Sequence, residues 1–115
     1  MSADSRYYIC RMDELSDPGS KGVNVALGDA VLEVFVVRGN DSVYGYINSC
    51  PHTGAPLDWV PDQFLSLDKL HIQCATHDAL FRITDGVCVA GPCTGERLTA
   101  VALQVESGDV ILLTD

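Results

Sequence analysis

No apolar stretch in this chain of 115 residues reaches the roughly 18 residues that a membrane-spanning helix needs. Basic residues are scarce. Seven lysines and arginines stand against sixteen aspartates and glutamates, a formal net charge of −9. That sign disfavours nucleic acid and anionic membranes as partners and favours a basic protein; it also helps keep a small domain in solution. The start "MSADSRYYICRMDELSD" has no basic segment followed by an apolar one and no twin arginine, so it does not read as a secretory signal and a soluble, cytoplasmic protein is expected. Helical periodicity is weak, and neither an internal repeat nor a low-complexity linker occurs. The five cysteines (Cys10, Cys50, Cys74, Cys88 and Cys93) are odd in number, which argues against a disulfide framework and for metal ligation or plain burial.

What is present is a single domain's worth of chain, 1–115, with an apolar share of 47 %, enough for an ordinary core. Short β-rich runs dominate: 6–12, 30–38, 42–48, 70–74, 79–83, 86–90, 98–106 and 109–115. Gly39-Asn40-Asp41, Asp85-Gly86 and Ser107-Gly108 read as tight hairpin turns between them. Eight short strands at this spacing predict an all-β, antiparallel sandwich or barrel. Residues 49–68, "SCPHTGAPLDWVPDQFLSLD", break the rhythm with three of the five prolines, and a loop of that length in a small domain is usually functional.

The chemistry-bearing residues begin in that loop. "NSCPHTGAPL" (48–57) places Cys50 and His52 two apart, and "QCATHDALF" (73–81) places Cys74 and His77 three apart. In extended chain, residues two apart face the same side, so Cys50 and His52 can aim at one centre. Cys74 and His77 need a turn, which Ala75 and Thr76 can make after a strand. Each segment offers one sulfur and one nitrogen, the donors that borderline-soft metals prefer. A structural zinc site usually pairs cysteine with cysteine and histidine with histidine. A [2Fe–2S] cluster with two cysteines on one iron and two histidines on the other suits the mixed pairing better. A Cys–His nucleophile pair would use one segment and leave the other unexplained.

"CPHTGAPL" followed by "CATHDALF" resembles the two ligand boxes of Rieske-type [2Fe–2S] ferredoxins, and "TDGVCVAGP" resembles the segment after the second box. The resemblance covers about residues 44–93, with 21 residues between His52 and Cys74, a few more than the family pattern. It implies one cluster per chain, with Cys50 and Cys74 on the inner iron and His52 and His77 on the outer. It also implies an antiparallel β base carrying an inserted cluster-binding subdomain, here about 48–86. Cys93, in "GPCTG", would follow a turn packed near the cluster. Cys10 and Cys88 read as buried thiols, His71 as an ordinary strand residue, and Trp59 as packing on the long loop.

The expected function is one-electron transfer, with a reductase as donor and an oxygenase or similar oxidoreductase as acceptor. With two of the three histidines taken by the cluster, a further two-histidine, one-carboxylate iron site cannot be built, so the chain reads as a carrier rather than a complete enzyme. The alternatives are a small subunit of a larger reductase, of the nitrite reductase type, and a zinc-stabilised interaction module. Asp58, Asp62, Asp68, Asp78 and Asp85 against Lys69 and Arg82 would give the cluster region an acidic rim for a basic partner.

The resemblance also sets the reduction potential. High-potential members carry an extra cysteine in each box, joined as a disulfide, and a serine and a tyrosine after the second box. Here those positions are Ala55, Thr76, Ala79 and Phe81, which supply neither the bridge nor the hydroxyls. The midpoint is expected at the low end of the Rieske range, on the order of −150 mV. Redox titration checks this, and a clearly positive midpoint overturns it.

Overall fold

The run Val34-Phe35-Val36-Val37 contains no polar residue. Side chains alternate sides along a strand, so such a run is stable only where both faces are covered. In the structure, a computed structural model that describes residues 5–27, 29–39, 42–49, 57, 64–66, 70–74, 79–91 and 94–114, all four are buried. They lie in β3 (Ala30–Gly39), which β2 (Gly19–Leu27) flanks along its whole length on one side and β4 (Ser42–Ile47) on the other. With β1 (Ser5–Arg11), β8 (Ala100–Glu106) and β9 (Asp109–Thr114) these form a six-stranded antiparallel sheet in the order β1-β9-β8-β4-β3-β2. Its outer strands, β1 and β2, come back together, so the sheet curls into a nearly closed barrel. A second, three-stranded sheet, β5 (His71–Gln73), β6 (Leu80–Arg82) and β7 (Cys88–Ala90), falls in sequence between β4 and β8.

The alternation along β3 divides the interior in two. Val34 and Val36 face the barrel core with Ile9, Cys10, Leu15, Val25, Val110 and Leu112. Phe35 and Val37 face a second core that includes Tyr46, Phe64, Ile72, Cys74, Phe81 and Leu98. There the Phe35 and Phe64 rings stack with centroids 4.3 Å apart and planes 4° from parallel. Phe64 is tied to the barrel through its amide, which donates to Ser20 Oγ at 3.2 Å. Residues 64–66 then run beside β5 through a bridge between Leu65 and Ile72. The small sheet is thus seated on the outer face of β3 by aromatic contact.

The expected all-β antiparallel architecture is observed, with one 3₁₀ turn (Met12–Glu14) as the only helix among the described residues. Ser107 (φ 51°) and Gly108 (φ 84°) join β8 to β9 as a two-residue turn with both φ positive, the primed geometry that matches strand twist. One strand was not expected. β2 begins with Gly-Ser-Lys-Gly, a poor strand former, and only Val23, Val25 and Leu27 alternate. It is a strand because β3 offers it a full hydrogen-bonding edge, and tertiary pairing outweighs weak propensity.

Phe35→Ala removes a fully buried ring and its stack on Phe64, so unfolding by urea should show a loss of about 3–5 kcal/mol. Val31→Ala on the same strand, 65 % exposed, should change stability by less than about 0.5 kcal/mol.

Candidate metal centre

The first Cys/His segment leaves the end of β4. Ile47 N–H donates to the Thr99 carbonyl at 2.8 Å and Asn48 N–H to the Glu33 carbonyl at 2.9 Å, which fixes the point of departure. Ser49 N–H then turns back on the Ile47 carbonyl at 2.9 Å and ends the strand. The segment returns at Leu57, whose side chain is fully buried in the second core and whose amide donates to Asn48 Oδ1 at 2.8 Å. Cys50 and His52 fall between these two fixed points and lie outside the described residues.

The second segment spans a hairpin end. Gln73 pairs with Leu80, and Cys74 N–H donates to the Ala79 carbonyl at 2.9 Å. Residues 75–78 therefore connect two strands closed by backbone hydrogen bonds; His77 is among them and lies outside the described residues. Ile72 and Cys74, two apart, share the buried face, as do Ala79 and Phe81. Cys74 is fully buried in the same core as Leu57. The last residue of the first motif and the first residue of the second thus meet one apolar cluster, which among the described residues contains no buried charged side chain.

The remaining candidates separate cleanly. Cys88 is buried in the Cys74 core with its Sγ 3.2 Å from the Ala90 carbonyl, and Cys10 is buried in the barrel core. Burial, with Glu14 adding repulsion, pushes the Cys10 thiol up to about 11. Both match the buried thiols expected. His71 sits half-buried in β5 opposite Arg82, a strand position as expected. Cys93 and Trp59 lie outside the described residues. Gly91, two positions before Cys93 in sequence, has a φ of +99°, and a Cβ there would stand 2.8 Å from Ala79 Cα. Thr94 Oγ1 donates to the Gly91 carbonyl at 2.8 Å, and Gly95 N–H to the Cys88 carbonyl at 3.2 Å. Backbone thus rests on backbone beside the second motif, with no room for a side chain.

Two polar contacts here have no signal in the sequence. One is Asn48 with Leu57. The other is the buried Tyr46 hydroxyl, which donates to the Ile83 carbonyl at 2.6 Å. Tyr46 lies on the strand that leads into the first motif, and Ile83 follows the strand that leads out of the second. Burial first, then the charges of Asp85 and Tyr44, push the Tyr46 phenol up to about 12. At the neighbouring turn, Arg82 donates twice to Asp85, at 3.0 and 2.5 Å, and holds the exposed Asp85 carboxyl below its ordinary range, helped by the Val87 amide.

The structure is thus a small antiparallel β barrel that carries a second sheet, with Leu57 of one Cys/His segment and Cys74 of the other buried in one core. The chain belongs to the Rieske [2Fe-2S] domain family, whose model matches residues 5–107. In fold it is similar to a chain of the complex of reduced oxygenase and oxidized ferredoxin in carbazole 1,9a-dioxygenase, with a TM-score of 0.73, 21 % identity, and 96 % of this chain and 94 % of that one covered. It is similar to the ferredoxin of carbazole 1,9a-dioxygenase from Nocardioides aromaticivorans IC177, with a TM-score of 0.69, 25 % identity, and 95 % and 99 % covered. It is also similar to the terminal oxygenase of carbazole 1,9a-dioxygenase from Novosphingobium sp. KA1, with a TM-score of 0.78 and 22 % identity, where 97 % of this chain corresponds to 30 % of that one. No curated protein matches the chain.

The raised Tyr46 pKa fixes the sign of one pH effect. A phenol that stays neutral in the folded state contributes its stability below the unfolded value of about 10 and loses it as pH rises toward the folded value. Tyr46→Phe should cost about 1 kcal/mol at neutral pH for the lost hydrogen bond. It should also flatten the fall of stability above about pH 10, as thermal melts of the two proteins between pH 7 and 11 would show.

Proposed function

We propose that this chain is a soluble, cytoplasmic Rieske-type ferredoxin that carries one electron at a time from a reductase to an oxygenase or similar oxidoreductase. Cys50 and Cys74 would hold the inner iron of one [2Fe–2S] cluster per chain, and His52 and His77 the outer iron, in a cluster-binding subdomain of about residues 48–86. The observation that carries this reading is the burial of Cys74 and Leu57 in one core within a chain of the Rieske family. The likeness to a ferredoxin of carbazole 1,9a-dioxygenase at 25 % identity supports a carrier that serves an oxygenase.

The donor set fits the group. A thiolate at Cys74 would be costly alone in an apolar core, and a bound iron ion offsets that cost. Two thiolates and two imidazoles are the Rieske combination. When bound, the cluster supplies a one-electron couple. The chain's own contribution is rigidity and exclusion of water: Cys74 is fully buried in one cluster with Phe64, Ile72 and Phe81, and the hairpin that bears it is closed at Cys74 and Ala79. The chain's −9 charge would speed encounter with a basic partner.

The purified protein should be reddish-brown, with two irons and two acid-labile sulfides per chain, as a [2Fe–2S] cluster requires. His77→Ala or His52→Ala should abolish the colour, while His71→Ala, a change in β5, should keep it. A colourless protein with stoichiometric zinc, or a cluster that survives in His77→Ala and is lost in His71→Ala, overturns the assignment.

A further inference from the structure

The first ligand segment is closed on itself by one side chain. Asn48 follows the end of β4 directly, and its backbone amide is already spent on Glu33. Its carboxamide oxygen accepts the amide of Leu57, nine residues on, at 2.8 Å. Leu57 is fully buried, so water cannot readily replace that acceptor, and a buried amide left unpaired is costly. The segment between bears Cys50 and His52 and includes Pro51, Gly54 and Pro56. The second segment has strand pairing at its base, with Gln73 against Leu80 and Cys74 against Ala79. For the first, Asn48 supplies by side chain the closure that a hairpin supplies by backbone.

We propose that Asn48 is the positioning residue of the first ligand segment: its Oδ1 holds residues 48 and 57 together, so that the two ends of the stretch bearing Cys50 and His52 are fixed by the fold before any metal binds. This rests on the reading of Cys50 and His52 as ligands. The closure entropy of the segment is met by folding, and it need not be met again by the metal. Asn48→Leu keeps the side chain's size and removes the acceptor. Asn48→Asp keeps an acceptor oxygen at the same position.

The test compares the three full-length proteins as purified. It uses hydrogen exchange, read by mass spectrometry on peptides spanning Leu57, and the rate of cluster loss to a strong iron chelator. Asn48→Leu should exchange the Leu57 amide and lose the cluster each about tenfold faster, the equivalent of roughly 1.4 kcal/mol, which lies within the cost of an unpaired buried amide. Asn48→Asp should stay within about threefold of the parent on both measures, and exchange in β3 should be unchanged in all three, because the effect is that of one hydrogen bond. Cluster loss from Asn48→Leu at the parent's rate overturns the proposal, as does an Asn48→Asp protein as impaired as Asn48→Leu. If Asn48→Leu does not fold, the other two proteins decide: open-loop exchange at Leu57 in the parent overturns the clasp, and protection in both parent and Asn48→Asp supports it. A parent that holds no cluster refutes the ferredoxin reading, while exchange at Leu57 still judges the clasp.

Discussion

β3 is a wall with two inhabited sides. Val34 and Val36 belong to the barrel, Phe35 and Val37 to the core beneath the small sheet, and the alternation of a single strand assigns them. Every later feature depends on that division. The Phe35–Phe64 stack seats the residues that run beside β5, and β5 with β6 brings Cys74 to the buried core. A polar residue at either 35 or 37 would leave the small sheet without a floor while the barrel kept its own.

The two Cys/His segments reach the same core by different means. One is a hairpin whose ends are fastened by backbone hydrogen bonds, and the other is a loop fastened by a carboxamide. Tyr46, on the strand that leads into the first, donates its hydroxyl to the carbonyl of Ile83, just past the strand that leads out of the second, and Gly91 lies directly against Ala79. Such contacts cost conformational entropy when they form, and apolar burial from Leu57 to Leu98 offsets it.

Legibility in the sequence followed the range of the interaction. The paired Cys-x-His and Cys-x-x-His spacings, the alternating apolar strands and the Ser107-Gly108 turn are local patterns, and each pointed to what is observed or to the family the chain belongs to. β2 was not legible, because Gly19 to Gly22 have little strand preference and it is β3 that makes them a strand. Asn48 and Tyr46 were not legible as fasteners either. Their partners are nine and 37 residues away, and a polar side chain carries no mark of which distant backbone group it will meet. Phe35 lies in a run legible as a strand, but Phe64 falls in the stretch read as a loop, and their stacking is decided by how the two sheets sit together.

The order in which the chain is made differs from the order in which its sheet can close. β1 is synthesised first, yet its strand partner is β9, with Arg6 opposite Leu113 and Arg11 opposite Asp109. The hairpins β2-β3-β4 and β5-β6-β7 need only near neighbours in sequence. On a ribosome the two Cys/His segments emerge, and the hairpin that closes at Cys74 and Ala79 can form, while β1 still waits with both edges unpaired. Barrel closure is the slow, long-range step, and loop-closure entropy places it last. The half of the molecule that contains the two Cys/His segments can therefore form its hairpins before the barrel that carries it is complete.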